Sequence, residues 1–460
     1  MTKIKIGLEI HGYINTDSKR KLFCNCKTDQ TSEANTNICP VCTSQPGSKP
    51  MLPNNEALKK IIAISLMLGC KVNQRLIFQR KHYSWPDLPS GYQKTISGAY
   101  SHPVGINGNF LDIGISDVHL EEDPAKWDPV TGCVDYNRSG YPLVEIVTEP
   151  DFRSVDELRE WLKNLVTTLS YIKAIDKDSG IKSDVNVSIE PKYKRVEIKN
   201  VNSFSSIVSA AEYEVERQKE VVDKGEDVKQ ETRTWDEKTG KTLFMRSKEN
   251  AADYMFIPEP DLPVISIENN TIKDITKILP ELPSIKKERY EKKHNLKKED
   301  AYVISSNIYL AEIFEEAIKN KIDPKIAVRW LRRELLRVAN FQKKDIDELP
   351  ITNENMINLM NLIKDNKITE KVAQKIIEKL SQKTFDVKEY VKKNNLETVS
   401  DSGEIEKFCK EAIDENPNAI TDYKNGKENA LNFLMGQVMR KSRGKASPNT
   451  VIPLLKKLIK

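Results

Sequence analysis

Alternating apolar and polar residues mark the first part of this 460-residue chain and constrain its fold more than any other feature. In residues 3–14, and again in residues 184–200, apolar side chains recur at every second position, which indicates strands with one buried face. Five prolines then lie between Pro258 and Pro283, and beyond them Leu, Ile and Val recur at helical spacing through residues 297–395 and 403–460. The sequence therefore predicts an α+β protein: a mixed or antiparallel sheet with flanking helices, followed by an all-α region.

The polar faces of these predicted strands carry acidic side chains. Glu9 and His11 share one face of the first strand, about 7 Å apart along it. Asp184 and Glu197 lie on the polar face of the later pair of strands. If all these strands belong to one sheet, their acidic side chains converge with those of a central stretch, residues 111–151, into an oxygen-rich site that suits Mg²⁺. The alternative is an ordinary solvent-exposed face.

The central stretch itself places many charged and polar side chains in strand-like and turn-like sequence. Such groups are costly near a core unless they are paired or bind a metal. Carboxylates next to one His, with an Arg close behind, indicate a site for a hard cation and a phosphate, whereas a solvated acidic hairpin is the alternative. The side chains concerned are His119, Glu121, Glu122, Asp123, Asp135, Asn137, Arg138, Glu145, Glu149 and Asp151.

Four of the seven cysteines fall within 19 residues, as Cys-x-Cys, twelve residues, then Cys-x-x-Cys. Two closely spaced pairs joined by a loop are typical of a tetrahedral zinc site, and four thiolates would close the coordination shell and make the zinc structural. The alternative is free thiols in a core. The predicted zinc ligands are Cys24, Cys26, Cys39 and Cys42.

A basic and aromatic loop follows at residues 80–93, ordered by prolines and a glycine. Arg80 and Lys81 are candidates for binding an anion, and Tyr83 for stacking on a base or on the adenine of a nucleotide. The alternative is a turn with solvated charges.

The C-terminal end is basic. From Thr421 to Lys460 there are nine Lys or Arg and two Asp or Glu, a net charge of +7, so the remaining 420 residues sum to −2. This asymmetry predicts a polyanion partner at one end, with a lysine-rich solvated helix as the alternative. The residues expected to contact nucleic acid are Arg440, Lys441, Arg443 and Lys445.

Several common signatures are missing from the sequence. It has no G-x-x-x-x-G-K-S/T phosphate loop, no G-x-G-x-x-G motif and no Gly/Ser-rich amidase signature, so nucleotide binding would depend on scattered acids and Mg²⁺. No apolar run reaches the length of a membrane span, and Met1 leads directly into a strand pattern. We therefore expect no membrane association and a cytoplasmic location.

These motifs together resemble the B subunit of the tRNA-dependent amidotransferases over nearly the whole chain and in the same order. The matching motifs are GLEIH (7–11), NICPVC (37–42), WPDLPSGYQ (85–93), HLEED (119–123), DYNRSGYPLVEIVTEPD (135–151), SDVNVS (183–188), EIKNVNSF (197–204), QETRTW (230–235), IPEPDLP (257–263) and GKENALNFLMGQVMRKSRGKASP (426–448). The resemblance implies a cradle-like kinase domain at 1–290 with a four-cysteine zinc insertion at 24–42, a helical domain at 291–397 and a small tRNA-binding tail domain at 398–460.

The resemblance also implies a reaction. In that family the B subunit uses ATP to phosphorylate the side-chain carboxylate of misacylated Glu-tRNA(Gln), and often Asp-tRNA(Asn). A separate amidase, the A subunit, supplies ammonia from glutamine, and a small C subunit completes the heterotrimer. By resemblance, the Mg²⁺ ligands expected here are Glu9, His11, Glu121, Glu122, Asp184 and Glu197, and four of them, Glu9, His11, Glu122 and Asp184, are expected to be catalytic. Arg138 is added to the catalytic residues on its charge and its position in the motif, as a candidate for binding phosphate or the acylated end of tRNA.

Two other functions are compatible with parts of the sequence. The larger archaeal E subunit makes only Gln-tRNA, but it carries an extra domain before the helical region, and here helical sequence resumes by Pro283. A zinc-containing tRNA-binding scaffold without catalysis is the alternative from another class. The acidic cluster disfavours it, because carboxylates repel a phosphate backbone unless a cation intervenes.

Overall fold

The computed structural model describes residues 3–29, 31–98, 100–176, 180–247, 254–398, 402–427, 429–442 and 444–459. The chain divides into two compact units, Met1–Leu282 and Pro283–Lys460. A large sheet lies in the first unit, and the second unit is helical. This arrangement confirms the predicted α+β class.

The strands of the first unit range from two to ten residues in length. They are β1 (Ile4–Tyr13), β2 (Lys71–Val72), β3 (Arg75–Leu76), β4 (Gln79–His82), β5 (Tyr92–Thr95), β6 (Gly105–Phe110), β7 (Ile113–Glu122), β8 (Lys126–Trp127), β9 (Val134–Asp135), β10 (Pro142–Thr148), β11 (Ile181–Ile189), β12 (Val196–Val201), β13 (Glu231–Asp236), β14 (Lys241–Ser247), β15 (Met255–Pro258) and β16 (Ile265–Ser266).

Within the described residues, twelve of these strands form one sheet, in the order β14-β13-β12-β11-β1-β10-β7-β5-β4-β15, with β6 paired to β7 and to β2. Neighbours are antiparallel except β12 and β13, which are parallel, so the sheet is mixed as predicted. Strand β1 lies near the middle, between β11 and β10. The first strand of the chain is therefore flanked by strands that come much later in the sequence.

Helices cover the apolar face of the sheet. They are α1 (Asn55–Met67), α2 (Val155–Tyr171), α3 (Phe204–Asp223) and α4 (Asn269–Ile278). Ile6 and Leu8 of β1 are buried in one core with Leu158 and Leu162 of α2. The Trp161 indole N–H also donates to the Phe110 carbonyl at 2.8 Å. Because side chains alternate along a strand, burial of this face leaves the polar residues of the same strands on the other face.

Capping residues mark where two of these helices start. The Asn54 side chain accepts hydrogen bonds from the first turn of α1, and Gly69, with φ of +70°, follows that helix. At α2 the Ser154 hydroxyl accepts the Glu157 backbone N–H at 3.1 Å, as a capping box requires. The Glu157 carboxylate, however, accepts the Arg153 N–H at 2.7 Å, one residue before the cap.

The second unit is built from helices and two buried clusters, one within residues 290–391 and one within residues 405–459. Its helices are α5 (Pro283–His294), α6 (Lys298–Ser305), α7 (Ile308–Lys319), α8 (Pro324–Arg329), a π-helical segment (Trp330–Leu335), α9 (Leu336–Gln342), a 3₁₀ turn (Ile346–Glu348), α10 (Asn353–Lys364), α11 (Glu370–Leu380), α12 (Val387–Lys393), α13 (Ser402–Asp414), α14 (Pro417–Lys424), α15 (Asn429–Lys441) and α16 (Pro448–Ile459). The division at 397 into a helical domain and a tail domain stays a prediction.

Among the described residues, every helix is too short or too polar to span a membrane.

Candidate active site

The polar face of β1 and its neighbours brings together acidic side chains that are distant in sequence. Glu9 lies opposite Asp184 of β11 in the strand register, and His11 lies opposite Glu145 of β10. Glu197 of β12 is one strand further from β1. The five side chains therefore lie on four adjacent strands in the middle of the sheet.

Two groups of candidate metal ligands result. The ligand atoms of Glu9, Asp184 and Glu197 lie within 4.8 Å of one another, and we call these three residues the first acidic group. Lys199, also on β12, pairs with Asp184, and its Nζ lies 3.6 Å from Glu197. Such mutual approach of three carboxylates is unfavourable unless cations neutralise them.

The second acidic group consists of His11, Glu121 and Glu145, whose ligand atoms also lie within 4.8 Å of one another. Glu145 Oε2 lies 3.3 Å from His11 Nε2. Glu121 is buried, and among the described residues its Oε2 has no hydrogen-bond partner. A buried carboxylate oxygen without a donor is the feature expected of a ligand to a cation.

Burial and charge together shift the pKa values of this group. Burial alone would lower the pKa of His11, but the Glu145 carboxylate raises it to about 9. Burial, and then the charge of Glu145, raise the pKa of Glu121. Burial would raise the pKa of Glu145, yet the two adjacent imidazoles, His119 and His11, hold it well below its usual range. The second acidic group therefore holds several ionisable side chains close together and largely shielded from solvent.

Burial and neighbouring charges also shift the pKa values in the first acidic group. Burial, followed by the charges of Glu145, Asp184 and Glu197, raises the pKa of Glu9. Burial would lower the pKa of Lys199, but Asp184 and Glu197 raise it. The donor sets of both groups are rich in carboxylate oxygen, which is the ligand Mg²⁺ prefers. With the unpartnered oxygen of Glu121, these residues fit a divalent-cation site.

Both groups line one cleft of about 860 Å³. Its remaining wall carries positive and aromatic side chains: Lys81, Tyr83, Arg138, Lys182, Lys199, Arg246, Tyr254 and Phe256. Lys81 Nζ lies 4.9 Å from the centre of the Tyr254 ring, and the rings of Tyr83 and Tyr254 meet edge to face at 5.7 Å. The cleft thus combines cation ligands, groups that can bind phosphate, and aromatic surface in one space.

Glu122, a predicted Mg²⁺ ligand and catalytic residue, lies in neither acidic group. Its Oε1 accepts hydrogen bonds from Lys94 Nζ at 2.8 Å and from the Lys94 backbone N–H at 3.0 Å. Since successive residues of a strand point to opposite faces, the neighbouring Glu121 and Glu122 cannot both point into the cleft. Glu145 completes the second group instead.

Arg80 likewise lies outside the cleft lining. Its guanidinium binds both carboxylate oxygens of Glu259, at 2.9 and 2.8 Å, and lies 4.4 Å from the centre of the Tyr92 ring. Lys81, the next residue of β4, lines the cleft. The predicted pair of anion-binding residues is therefore divided between the two faces of that strand.

Arg138 lines the cleft and also contacts residues 123–125, which follow β7. Its Nε lies 3.0 Å from Asp123 Oδ2, which in turn accepts the Tyr13 hydroxyl at 2.6 Å. Arg138 also donates to the carbonyls of Pro124 and Ala125. Its guanidinium is therefore held in a fixed orientation at the wall.

The four predicted zinc ligands, Cys24, Cys26, Cys39 and Cys42, come together with their sulfur atoms within 4.8 Å of one another. A hydrogen bond from Cys24, and then the charge of Lys21, lower the pKa of Cys42 to about 5, and the thiolate is the form that binds metal. Burial raises the pKa of Cys26 to about 11. Four sulfur donors at such distances fit a tetrahedral zinc ion.

Part of the central stretch holds this cysteine loop in place rather than lining the cleft. Asp135 Oδ1 accepts the Asn35 backbone N–H at 3.0 Å, and Asn137 Oδ1 accepts the Asn37 N–H at 2.8 Å. The Asn137 amide also donates to the Glu33 carbonyl at 2.7 Å. These polar residues therefore have a structural explanation.

Three of the four predicted nucleic-acid residues lie at the end of α15 or after it. Lys441 forms ion pairs with Glu415 at 2.6 Å and Glu411 at 3.5 Å. Arg440 precedes it in the same helix, and Lys445 lies beyond the helix end. Arg443 lies outside the described residues.

Two residues of the site, Glu145 and Lys199, were not among the predicted ligands or catalytic residues, although Glu145 is one of the charged side chains of the central stretch. Glu145 alternates with Val144 and Ile146 on β10, the same pattern that identified Glu9, but the sequence gives no reason to place it opposite His11. Lys199 lies on the polar face of β12, yet its pairing with Asp184 depends on how β11 and β12 align.

Comparison with known proteins gives matches to both units. The family described as "GatB/GatE catalytic domain" matches residues 4–273, and the family described as "GatB domain" matches residues 312–459. The B subunit of the aspartyl/glutamyl-tRNA(Asn/Gln) amidotransferase of Methanocaldococcus jannaschii is 46% identical over 466 residues, which covers 99% of this chain and 97% of that protein. The proteins of the same name from Methanococcus maripaludis strain C7 and Methanothermobacter thermautotrophicus are each 44% identical, with 99% of this chain covered and 98% and 100% of theirs. The chain therefore belongs to the family of B subunits of the aspartyl/glutamyl-tRNA(Asn/Gln) amidotransferases.

Proposed function

We propose that this chain activates the side-chain carboxylate of Glu-tRNA(Gln), Asp-tRNA(Asn) or both by phosphorylation with ATP, and that amidation follows in the same cleft. The observation that carries the proposal is the meeting of two acidic groups with basic and aromatic side chains in one cleft. Transfer of a phosphoryl group between two anions needs this combination, because the reactants repel each other unless cations lie between them.

The proposed reaction has two steps. An oxygen of the substrate carboxylate attacks the γ-phosphorus of ATP, and the bond from that phosphorus to the ADP oxygen breaks. Ammonia then attacks the acyl phosphate carbon, inorganic phosphate leaves with the bonding electrons, and loss of a proton from nitrogen gives the amide. Phosphorylation is needed because an unmodified carboxylate has no adequate leaving group.

The acidic groups are the residues that would hold Mg²⁺. Glu9, Asp184 and Glu197 would hold one ion, and His11, Glu121 and Glu145 another. Bound Mg²⁺ would neutralise phosphate charge and orient the phosphates. Because Mg²⁺ prefers oxygen, we assign His11 a place beside the ion, as a direct ligand or through a water molecule. Glu122 is left out of this assignment, since its carboxylate pairs with Lys94.

The basic wall of the cleft is proposed to bind the anionic substrates. Lys81 and Arg138 would contact phosphates or the acylated end of tRNA, and Tyr83, with Tyr254, offers aromatic surface for a base. Arg80 is proposed to support this wall indirectly, because its guanidinium is already bound by Glu259. Lys81 and Arg138 would thus supply positive charge that is already in position before the substrate binds.

Partners are proposed from the family to which the chain belongs and from the need of the second step for ammonia. The relatives are B subunits, and the sequence of this chain has no amidase signature, so by resemblance to that family we propose a heterotrimer with an amidase (the A subunit), which supplies ammonia from glutamine, and a small third protein (the C subunit). We propose that the basic end of the chain, with Arg440, Lys441, Arg443 and Lys445, binds tRNA. A tRNA substrate also implies the compartment of translation, hence the cytoplasm.

Variants of the two acidic groups test the proposal. Asp184→Asn and Glu121→Gln each remove one proposed cation ligand, and both should abolish ATP turnover by the assembled heterotrimer while tRNA affinity changes little. Glu149→Gln, an exposed acid outside the cleft lining, is the control and should keep turnover. Full turnover in both cleft variants would instead favour a tRNA-binding scaffold that leaves the chemistry to another protein of the assembly.

A further inference from the structure

A buried histidine, His119, lies between Glu145 of the second acidic group and Asp117 of β7. His119 of β7 is 3% exposed, and both of its ring nitrogens face carboxylates. Its Nδ1 lies 2.6 Å from Asp117 Oδ1, and its Nε2 lies 3.0 Å from Glu145 Oε2. The same Glu145 oxygen lies 3.3 Å from His11 Nε2. A continuous row of Asp117, His119, Glu145 and His11 therefore crosses three adjacent strands.

This row restricts how Glu145 can move. A carboxylate held at one oxygen by two imidazoles, one on each neighbouring strand, has little freedom to rotate, so its second oxygen is also fixed. Asp117 holds the far side of the His119 ring, which fixes the ring in turn. Residues that orient a metal-binding side chain in this way typically change metal affinity about 10- to 100-fold when they are replaced.

We propose that His119 is a positioning residue for Glu145, held by Asp117, and that it sets the divalent-cation affinity of the second acidic group. The inference rests on the proposed function, because it assumes that this group binds a cation. His119 itself would touch neither the cation nor the substrate. A buried histidine that serves packing alone is the competing explanation, and it predicts no effect on cation affinity.

Two substitutions of similar size separate these explanations. In His119→Gln the side-chain amide nitrogen can take the place of Nε2 and donate to Glu145. In His119→Asn the shorter amide takes the place of Nδ1, near Asp117, and loses Glu145. Both variants disturb packing, but only the second removes the contact that the proposal requires.

The measurement is Mn²⁺ binding to the full-length chain, followed by electron paramagnetic resonance. All proteins carry Asp184→Asn, so that the first acidic group is disabled and only the second is read. His119→Asn should weaken Mn²⁺ binding about tenfold or more. His119→Gln should remain within about threefold of the parent, and Glu121→Gln should abolish binding. Thermal unfolding without metal checks that each variant is folded.

Each outcome decides the inference. Equal Mn²⁺ affinity in the parent and both His119 variants would overturn the positioning role while leaving the cation site intact, and so would an equal loss in the two variants. A parent that binds no Mn²⁺ would overturn the proposed cation site and the positioning role with it. If His119→Asn does not fold, Asp117→Asn replaces it: several-fold weaker binding supports the inference, and unchanged binding contradicts it.

Discussion

Two adjacent glutamates at the end of β7 differ in whether their carboxylates are paired. Glu121 is a buried carboxylate whose Oε2 lacks a hydrogen-bond donor among the described residues, and burial raises its pKa. Glu122 neutralises Lys94, which is itself only 7% exposed. Burying an unpaired charge is destabilising, whereas removing one member of a buried ion pair leaves the other member without compensation.

We therefore predict stability changes of opposite sign. Without divalent cations, Glu121→Gln should stabilise the chain by about 1 kcal/mol, because a neutral amide replaces a poorly solvated charge. Glu122→Gln should destabilise it by about 3 kcal/mol. Urea unfolding at pH 7 in a chelator measures both. A loss of stability in Glu121→Gln would mean that Glu121 is a structural residue rather than a site prepared for a cation.

The cysteine group has a buried cation beside it. Lys21 is fully buried, and its Nζ lies 3.4 Å from Cys42 Sγ and 3.1 Å from the Tyr136 carbonyl oxygen. Four thiolates around Zn²⁺ would carry a net charge of −2, so a nearby ammonium would stabilise the zinc-bound form.

Lys21→Met is accordingly expected to release zinc to a chelator about tenfold faster than the parent chain. Lys27→Met, an exposed lysine between the two cysteine pairs, is the matched control and should leave the rate unchanged. The rate of metal release, followed with a chromogenic chelator, is the readout. Equal rates for Lys21→Met and the parent would show that the lysine serves only packing.

Single residues also mark the limit of what the sequence could predict. The Cys-x-Cys and Cys-x-x-Cys pairs predicted the four-sulfur cluster because their spacing is local. The sequence predicted both Glu121 and Glu122 as Mg²⁺ ligands, since which of the two side chains faces the cleft depends on which face of β7 is buried. His119 and Glu145 belong to the same stretch, but their contact appears only when β7 and β10 are aligned.

Among the helices, α5 and α7 are joined by one carboxylate. Glu315 of α7 accepts hydrogen bonds from Lys286 at 2.6 Å, Arg289 at 2.6 Å and Tyr290 at 2.7 Å, all on α5. Although burial opposes it, this set of donors, with Lys286 foremost, lowers the pKa of Glu315 to about 2. A carboxyl group whose pKa is lower in the folded than in the unfolded state stabilises the fold only while it is ionised.

The contribution of Glu315 is therefore complete above about pH 5 and disappears as the pH falls towards 2. Glu315→Gln should cost about 2 kcal/mol at pH 7 and much less near pH 2.5. Glu312→Gln, an exposed position of the same helix, is the control. Urea unfolding of both variants at the two pH values tests the prediction. An equal cost at both pH values would exclude the ionised carboxylate as its source.

Local sequence patterns indicate where a helix or strand lies and which of the two it is, but they say little about how the strands are ordered in the sheet. Asn54 and Gly69 bracket α1, and the apolar residues of α2 recur at helical spacing in the sequence. The place of β1 between β10 and β11 could not be predicted, because those partners lie more than a hundred residues away and pairing depends on the packing of the complete sheet. The acidic cleft is a product of that pairing.

Over the whole chain, the two acidic groups belong to the first unit, and the basic C-terminal residues belong to the second. Replacing Arg440, Lys441, Arg443 and Lys445 together with Gln should weaken tRNA binding and make its dependence on salt less steep. The log–log slope should fall by up to about 0.7 to 0.9 for each phosphate that the variant no longer neutralises.

Lys441 alone should contribute least to that change, because Glu415 and Glu411 already neutralise it. Replacing Lys292 and Lys293, two exposed lysines of α5, is a control for a general change in charge. Filter binding of tRNA over a range of salt concentrations measures the slope. An unchanged slope in the fourfold variant would show that tRNA contacts another surface.

The two-unit organisation was partly predictable for a physical reason. The proline-rich stretch ends at Pro283, which is the first residue of the second unit and of α5, because proline suits the first turn of a helix. The alternating apolar and polar pattern of strands ends before this stretch, and the unit that follows it is helical. The cleft, in contrast, draws its residues from positions 9 to 256, so no single segment of sequence predicts it as a whole.

Carboxylate activation in the cleft is tested most directly by ATP hydrolysis by the chain assembled with the amidase and the small third protein that we propose as its partners. Glu-tRNA(Gln), Asp-tRNA(Asn) and the uncharged tRNAs would be compared with Mg²⁺ present and glutamine absent. If the cleft activates a carboxylate, hydrolysis should increase with an acylated tRNA and not with the uncharged forms, and Asp184→Asn should remove the increase. Hydrolysis that no acylated tRNA stimulates would contradict carboxylate activation in the cleft and would leave a protein that binds tRNA for chemistry performed elsewhere.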